Sequence, residues 1–395
     1  MESIWVIGLM SGTSLDGIDA AYIKTDGVQV EEFGPGLTVP YEPAFRAALF
    51  DLLQNPLSTN KTTLEQDLTD RHTRVVRQLI DESSIQPQLV GFHGQTIFHH
   101  PRTETSKAQT VQIGDGQRMA NDLGIPVVYD FRQNDVSEGG EGAPLVPVFH
   151  QALAHDLPRP VAFVNVGGVS NITVITDKRL YAGDTGPGGA LIDDWMQKKA
   201  GVSYDKNGEM AASGTIQNHL IKQWLQHPFF DQDLPKSLDR QTFYHCLGDC
   251  EQLNTADGAA TLTALTARAI LKALLPYPEI QTLILTSGGR HNLFLRKQLG
   301  EVSCVQTTED FGWNGDLIEA QAFAYLAMRS HQNLPLSFPT TTGAFKSVSG
   351  GEGYLSTLVH QQWHLYVVSV YNGRKLILIL RINILGKLVN ASQFC

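Results

Sequence analysis

Asp184 is a candidate for proton-transfer chemistry because of the residues that surround it. It stands in the Gly- and Pro-rich segment Ala182–Gly189, directly after a predicted strand at 179–181. A carboxylate at the end of a strand suits a general base, since the sheet fixes it and the turn exposes it. The alternative is an aspartate that caps the helix predicted to begin near Ala190, a common role for this residue type. The residues alone leave both interpretations open.

Turns built from small residues follow three apolar strands. The first turn, Gly12–Asp19, follows an apolar run at 4–10, and the second, Gly167–Asn171, follows Pro160–Val166. Such turns can cradle phosphate oxygens with their backbone N–H groups. Two strand–turn–strand units, one opening each half of the chain, predict an internal duplication in which both turns clamp a phosphate chain. The third turn, at 286–292, follows the strand Thr282–Leu285 and has the same form.

Four further charged residues could contact a ligand. Asp16 and Asp19 flank the first turn, where a carboxylate can hold Mg²⁺ through water; stabilisation of the turn itself is the alternative. Arg132, at the end of a predicted strand, suits a bidentate contact with a substrate carboxylate, or equally an ion pair between domains. Glu319 is either a second acid facing the cleft or a solvated helix residue, and the sequence favours the latter.

Histidines and cysteines give only a weak indication of metal. His93, His99 and His100 follow one predicted strand, but hydrogen bonding to a polar ligand is the favoured interpretation. Cys246 and Cys250 lie four residues apart with no second pair at ligand spacing, so ordinary thiols are expected. The four cysteines of the chain do not form a disulfide scaffold, which favours a reducing compartment.

Composition excludes several functional classes. The chain has 395 residues, enough for two domains, and a formal net charge of −10. This charge argues against a nucleic-acid partner and against docking on an anionic membrane. No signal peptide and no apolar stretch of membrane-spanning length are present, so we expect a cytoplasmic protein.

Helical and strand patterns alternate along both halves, which predicts an α/β fold with polar loops at the strand ends. We predict a first domain at 1–135, to which a C-terminal segment could return, and a second domain at 136–355. Residues 356–395 are predicted to form strands at 365–371 and 376–388, in an extension of unknown role. The main helices are predicted at 43–53, 63–82, 117–123, 145–155, 190–199, 256–275 and 316–328.

Eight ordered segments between residues 4 and 350 carry motifs of one family: Gly8–Asp19, Gly91–Pro101, Gln112–Gly116, Asp130–Arg132, Gly142–Leu145, Asn165–Asn171, Asp184–Gly188 and Ser287–Asn292. Together they resemble the anhydro-N-acetylmuramic acid kinases, members of the actin/sugar-kinase/chaperone-ATPase superfamily. The resemblance implies a duplicated actin-like ATPase (ribonuclease H-like) fold, with two domains around a nucleotide cleft.

The resemblance also implies a reaction and a set of site residues. ATP and Mg²⁺ would serve a step that opens 1,6-anhydro-N-acetylmuramic acid with water and phosphorylates O6, in cell-wall recycling. Asp184 falls on the family's catalytic aspartate, and members are typically homodimers. The sugar contacts would be Thr96, Arg132, Glu319 and His93. The ATP contacts would be Gly12, Thr13, Ser14, Leu15, Asp16, Gly17, Ile18, Asp19, Gly167, Gly168, Ser170, Asn171, Gly288, Gly289 and Asn292.

Two departures from the family pattern accompany this resemblance. Gly258 occupies a helix where the family usually has a better helix former, a loss of at most about 1 kcal/mol. The sequence after about Ser356 does not resemble the usual short family ending. A kinase for another anhydro or amino sugar, and an ATP-driven switch of the actin or chaperone type, are the alternative functions.

Overall fold

The computed structural model describes residues 2–355 apart from 13, 57, 59, 103–105 and 302, together with the backbone of three later strands. The strands are β1 (Ile4–Ser11), β2 (Gly17–Thr25), β3 (Val30–Pro40), β4 (Leu89–His100), β5 (Gln109–Ile113), β6 (Val127–Tyr129), β7 (Val161–Val166), β8 (Val169–Ile175), β9 (Leu180–Pro187), β10 (Thr282–Thr286), β11 (Cys304–Thr307), β12 (Glu352–Tyr354), β13 (Tyr366–Asn372), β14 (Lys375–Ile384) and β15 (Lys387–Ala391).

The helices alternate with these strands, as the sequence pattern predicts. They are α1 (Pro43–Gln54), α2 (Lys61–Ser83), α3 (Gly116–Leu123), α4 (Gln133–Ser137), α5 (Pro147–Leu153), α6 (Ala190–Ala200), α7 (Glu209–Ser213), α8 (Asn218–Trp224), α9 (His245–Asp249), α10 (Thr255–Leu274), α11 (Leu293–Gly300), α12 (Ile318–His331) and α13 (Pro339–Thr342).

The first sheet has the strand order β12-β6-β4-β1-β2-β3, with β5 paired to β4 outside this order. Strands β1, β2 and β3 are antiparallel neighbours, whereas β1 is parallel to β4 and β4 to β6. Parallel neighbours need a crossover connection, and α1 and α2 provide it between β3 and β4. The apolar face of α2 buries Leu68 and Val76 against this sheet.

The second sheet repeats the first. Its order is β11-β10-β7-β8-β9, with β7, β8 and β9 antiparallel and with β7, β10 and β11 parallel. Strands β7 to β11 therefore copy the order and directions of β1, β2, β3, β4 and β6. The repeat confirms the predicted α/β class and the internal duplication. It is the ribonuclease H-like arrangement expected of an actin-like ATPase.

Helix α12 lies directly on the backbone of the first sheet, although it follows the second sheet in the chain. A Cβ atom on Gly8 would come within 1.8 Å of the Ala320 carbonyl oxygen, and one on Gly91 within 2.2 Å of the Phe323 oxygen. Both central strands therefore need glycine where the helix crosses them. Strand β12 also joins this sheet, by pairing with β6. The domain boundary at residue 135 stays a prediction.

Three local predictions differ from the structure. Strand β4 continues to His100 instead of ending at Phe92, because its second half pairs with β5. Strand β9 reaches Pro187, so Asp184 lies within a strand and not in a turn. The polar connection at 133–142 begins with α4, whose buried Asp135 accepts hydrogen bonds from the Gly142 N–H at 2.7 Å and the Thr342 hydroxyl at 2.6 Å. Pairing with the neighbouring strand lengthens β4 and β9, and a hydrogen bond to the distant Thr342 helps to fix α4.

Gly258 is explained by packing. A Cβ atom at this position of α10 would lie 2.1 Å from Cζ2 of the fully buried Trp195 on α6. The indole N–H of Trp195 donates to the Thr255 carbonyl at 2.9 Å, which holds the ring across the start of α10. The glycine therefore admits the tryptophan, and the sequence-based view of it as a small helix defect is incomplete.

The backbone of β13, β14 and β15 forms a separate three-stranded antiparallel sheet. Strand β13 agrees with the strand predicted at 365–371, whereas the strand predicted at 376–388 ends at Ile384 and a third strand, β15, follows it. Within the residues that the structure describes, no helix is both long and apolar enough to cross a bilayer.

Candidate active site

The first turn joins β1 to β2 and is fixed from two sides. The Gly12 carbonyl accepts hydrogen bonds from the Leu15 N–H at 3.1 Å and from the Gln95 amide at 3.2 Å. Leu15 has a positive φ of 56° and a buried side chain, and Ile18 is buried as well. Only the backbone of these two residues can therefore face a ligand. Thr13, a predicted ATP contact, lies outside the described residues.

The two acidic residues of this turn differ in environment. Asp16 is exposed and meets a guanidinium nitrogen of Arg46 at 3.5 Å. Asp19 accepts a hydrogen bond from the Thr38 hydroxyl at 2.5 Å, and burial raises its pKa, with the charges of Asp316 and Asp16 adding to the shift. Among the described residues neither carboxylate accepts from a backbone N–H of the turn, but Arg46 joins Asp16 to the Ser14 carbonyl. The Mg²⁺ role and the turn-stabilising alternative therefore both stay predictions.

The second turn packs against the start of α6. The Gly167 carbonyl accepts from the Gly189 N–H at 2.7 Å, and the Gly168 carbonyl accepts from the Gly188 N–H at 3.1 Å. Asn171 pairs with Asp184 across the β8–β9 ladder, next to a bulge. The Ser170 and Thr185 hydroxyls meet there at 2.5 Å. These contacts hold the second turn, the N-terminus of α6 and Asp184 together.

The third turn lies beside the second. A Cβ atom on Gly289 would come within 2.3 Å of Cβ of Val166, at the end of β7, whereas one on Gly288 would meet nothing within 4 Å. Arg290 is 3% exposed and binds Glu309 at 2.8 Å and Asp316 at 2.7 Å. The Asn292 side chain accepts from the Leu295 N–H at 2.9 Å and so caps α11. Among the predicted contacts of this turn, Gly288 therefore presents the most open surface.

Asp184 is held as a partly buried carboxylate with few partners. Its Oδ2 accepts from the Leu238 N–H at 2.7 Å and from the Ser237 hydroxyl at 3.5 Å. Burial raises the pKa of Asp184 to about 7, and these two hydrogen bonds oppose that shift. The N-cap of α6 is Gly189, so Asp184 does not cap this helix. The capping interpretation is therefore wrong, and the general base stays a prediction.

Arg132 is oriented by His93. The His93 Nδ1–H donates to the Gly94 carbonyl at 2.7 Å, which leaves Nε2 to accept from the Arg132 Nε–H at 3.1 Å. Burial and the nearby Arg132 charge hold the pKa of His93 well below its usual range, consistent with this neutral form. Arg132 also donates to the Gly142 carbonyl at 2.7 Å. Two of its five N–H groups are in these bonds, and no ion pair of Arg132 is found among the described residues.

Glu319 connects the two sheets at the start of α12. Its Oε1 accepts from the side-chain amide of Asn165, at the end of β7, at 3.2 Å. Burial raises the pKa of Glu319, and the charge of Asp19 adds to this, whereas the Asn165 bond and the Arg132 charge oppose it. The prediction of a solvated helix residue is therefore wrong. Thr96 is partly buried on β4, where its hydroxyl accepts from the Gln112 amide at 3.1 Å.

Electrostatic interactions join the residues of both sheets into one site. His99, on β4, feels the positive charge of Arg132 and the negative charge of Asp239, and burial lowers its pKa to about 4. Asp239 follows Leu238, which binds Asp184, while Glu141 precedes Gly142, which binds Arg132. The Glu141 charge in turn raises the pKa of Asp184. The predicted base and the predicted sugar contacts therefore lie within electrostatic range of the same charged residues.

Sequence reasoning missed Asp193, in the first turn of α6. Burial raises its pKa to about 6; Asp194 and Asp16 add to the shift, and Arg240 opposes it. Asp193 thus lies within electrostatic range of Asp16, in the other half of the chain. The sequence does hold a signal for it, namely an acidic residue in the first helical turn after Gly188–Gly189.

The acidic residues at these turns suit a hard divalent cation. Asp16 is exposed, has a described 3.5 Å contact with Arg46, and lies within electrostatic range of Asp193. Carboxylate oxygens with room for water are the ligands that Mg²⁺ takes beside nucleotide phosphates. No group of three or more His, Cys, Asp or Glu residues preorganised for a metal is found within the described ranges. The donor set fits a cation that arrives with a phosphate ligand.

The family model described as "Anhydro-N-acetylmuramic acid kinase" matches residues 4–356. Two proteins named anhydro-N-acetylmuramic acid kinase are similar to the chain. The one from Rhodospirillum rubrum is 48% identical over 358 residues, covering 88% of this chain and 94% of the relative. The one from Gluconobacter oxydans is 44% identical over 358 residues, covering 86% and 97%.

A solved structure, the (R)-2-hydroxyglutaryl-CoA dehydratase component A of Acidaminococcus fermentans, is similar at a TM-score of 0.46 and 11% identity, covering 84% of this chain and all of that one. The family match spans both sheets and every motif of the site. The chain therefore belongs to the anhydro-N-acetylmuramic acid kinase family and is a sugar kinase, a phosphotransferase with an alcohol group as acceptor.

Proposed function

We propose that the chain opens 1,6-anhydro-N-acetylmuramic acid with water and phosphorylates O6 with ATP, giving N-acetylmuramic acid 6-phosphate and ADP. The observation that carries this proposal is the environment of Asp184. A pKa raised to about 7 makes this carboxylate a stronger base than an ordinary aspartate while leaving much of it ionised at neutral pH. The family of the chain supports the identity of the sugar.

One carboxylate is sufficient for the step. Asp184 takes a proton from water while the water oxygen forms a bond to the anomeric carbon, and the bond from that carbon to O6 breaks. The electron pair left on O6 attacks the γ-phosphorus of ATP, and ADP leaves with the electrons of the broken P–O bond. No general acid is needed, because the phosphoryl group captures the leaving oxygen.

The sugar would be held by residues of the first sheet and of α12. The remaining N–H groups of Arg132 suit the lactyl carboxylate, since a guanidinium fork matches that geometry. His93 acts behind Arg132 as a positioning residue, because it is buried and bound to the arginine. Thr96 and Glu319 would bind hydroxyl and amide groups of the sugar from either side.

ATP would lie between the first and second turns, with the adenosine toward Gly288, Gly289 and Asn292. Asp16 would hold Mg²⁺, with Asp193 as a second carboxylate; Asp19 is less free because of its bond to Thr38. When bound, the cation would neutralise charge on the phosphates. The role of this chain's residues is to fix the two turns, so that backbone N–H groups meet the phosphates without rearrangement.

The test is release of ADP that depends on the sugar. Asp184→Asn keeps the size of the side chain and removes the base, so ATP should bind nearly as tightly while sugar-dependent ADP release is abolished. A coupled assay with a panel of anhydro sugars measures this and identifies the acceptor. Near-normal turnover of the variant would refute the assignment, and ATP hydrolysis without any sugar would favour the ATP-driven switch.

The wider setting follows from the same proposal. A kinase for this sugar would serve the recycling of cell-wall fragments in the cytoplasm, where ATP is available. We further propose that the protein acts as a homodimer with a small amino sugar as its ligand, which sedimentation of the purified protein would test.

A further inference from the structure

Arg240 lies against the second turn, and its guanidinium is only weakly paired with an acidic residue. Its Cδ and Nε atoms come within 4.0 Å of the position that a Cβ atom on Gly168 would occupy. Its side chain is 48% exposed, and its ion pair with Asp194 spans 4.0 Å. Such a long, exposed pair contributes little, so the guanidinium can exchange Asp194 for a better anion at small loss.

The arginine is carried by the segment that also fixes the proposed base. Leu238 donates its N–H to Asp184 at 2.7 Å, and the Asp184 N–H donates to the Lys236 carbonyl at 2.8 Å. Arg240 follows Leu238 by two residues, which is at most about 7 Å of chain. The Asp239 side chain accepts from the Gln241 N–H at 2.7 Å and fixes the turn from which Arg240 extends.

The two neighbouring arginines contact acidic residues at the other two turns. Arg290, in the third turn, is almost fully buried between Glu309 and Asp316. Arg46 meets Asp16 at 3.5 Å and the Ser14 carbonyl at 3.3 Å, so it neutralises the first turn. Aspartates prevail around the turns, whereas phosphoryl transfer needs positive charge at the group that moves. Of these three arginines, Arg240 is the one that lies beside the second turn.

We propose that Arg240 is a further catalytic residue, which leaves Asp194 and binds the phosphoryl group while it passes from ATP to O6. This inference rests on the proposed function and adds a residue to it. Because Arg240 and the contacts of Asp184 share the segment 236–240, the base and the positive charge reach the reacting groups together. The contact strengthens as charge spreads over the phosphoryl oxygens, so it acts on turnover more than on binding.

The test separates turnover from nucleotide binding. Arg240→Gln should lower kcat for sugar-dependent ADP release by at least about 100-fold, the scale of losing one strong charge donor. Its Kd for ADP should change less than about threefold. The Kd for ADP with aluminium fluoride and the sugar, a mimic of the transferring phosphoryl group, should rise by at least about 30-fold. Arg240→Lys should recover part of kcat, since it keeps the charge without the fork.

Arg179→Gln is the matched control. Arg179 is exposed in the turn between β8 and β9, at the end of β8 that lies away from the second turn. This variant should behave as the unchanged protein in all three measurements. Equal losses of affinity for ADP and for the aluminium fluoride complex would overturn the proposal, as would unchanged kcat in Arg240→Gln. Should that variant fail to fold, full activity of Arg240→Lys would overturn it instead. Failure of the unchanged protein to release ADP with sugar would refute the proposed function itself.

Discussion

The protonation of Asp184 links its environment to the pH dependence of the enzyme. An acid whose pKa is raised to about 7 must lose its proton before it can act as a base. Activity should therefore be lost as the pH falls through that value and be fully present above it. The raised pKa thus sets the low-pH limit of the reaction.

We expect log kcat/KM for the sugar to rise with a slope of one below about pH 7 and to level off above it, because this profile reports the free enzyme. Steady-state rates between pH 5 and 9 measure it. The pH profile of the Kd for ADP should be the same in Asp184→Asn as in the unchanged protein, which serves as the internal control. A break near pH 4, the value for an ordinary aspartate, would contradict the assigned environment.

Single residues show where sequence reasoning stops. Asp184, Arg132 and Glu319 are singled out by residue type and position, but their pairings with Leu238, His93 and Asn165 are not predicted. The paired residues lie on loops and strands distant in sequence, and nothing local marks which of them will meet. The burial of Glu319 likewise cannot be predicted from the sequence, since it results from two sheets meeting at one helix.

At the scale of elements, the α6–α10 contact makes a stability prediction. Gly258→Ala should destabilise the protein by about 1–3 kcal/mol, because overpacking against Trp195 outweighs the gain in helix propensity. In a domain of this size, this corresponds to a fall in Tm of roughly 2–4 °C per kcal/mol. Differential scanning calorimetry measures the shift.

Gly248→Ala, in α9, is the matched substitution. A Cβ atom there meets nothing within 4 Å, so the Tm should stay level or rise slightly. Equal effects of the two substitutions would show that helix propensity, and not Trp195, governs both positions.

Elements with a strong hydrophobic periodicity were predicted well, whereas elements whose bounds depend on strand pairing were not. The amphipathic α2 and the two hairpins were predicted with nearly the observed bounds, because their patterns are local. The short helices α7, α8 and α9 were missed, as they offer too few turns for a period to appear. The extent of β4 depends on β5, which sequence alone cannot align with it.

At the scale of the whole molecule, the first sheet is complete at residue 355. Strand β12 pairs with β6, the Tyr354 ring packs on Tyr129 at 5.3 Å, and the Leu355 carbonyl accepts from Gln117. The family match ends at 356 as well.

A chain ending at residue 355 should therefore keep sugar-dependent ADP release within about twofold of the full chain. A chain ending at 351 lacks β12, which exposes the β6 edge, so it should lose stability and tend to aggregate. Activity assays and thermal melts compare the two. Loss of activity in the chain ending at 355 would assign a function to residues 356–395.

The crossing of α12 over Gly8 and Gly91 has a consequence for how the chain folds during synthesis. Six of the seven strands of the first sheet, β1 to β6, are made within the first 129 residues, yet the helix that covers its central strands ends only at His331. A nascent chain would hold that apolar face open, or shield it on a chaperone, while some 200 further residues are added, at roughly 5–20 residues per second. The half of the protein that is synthesised first is thus the last to be finished.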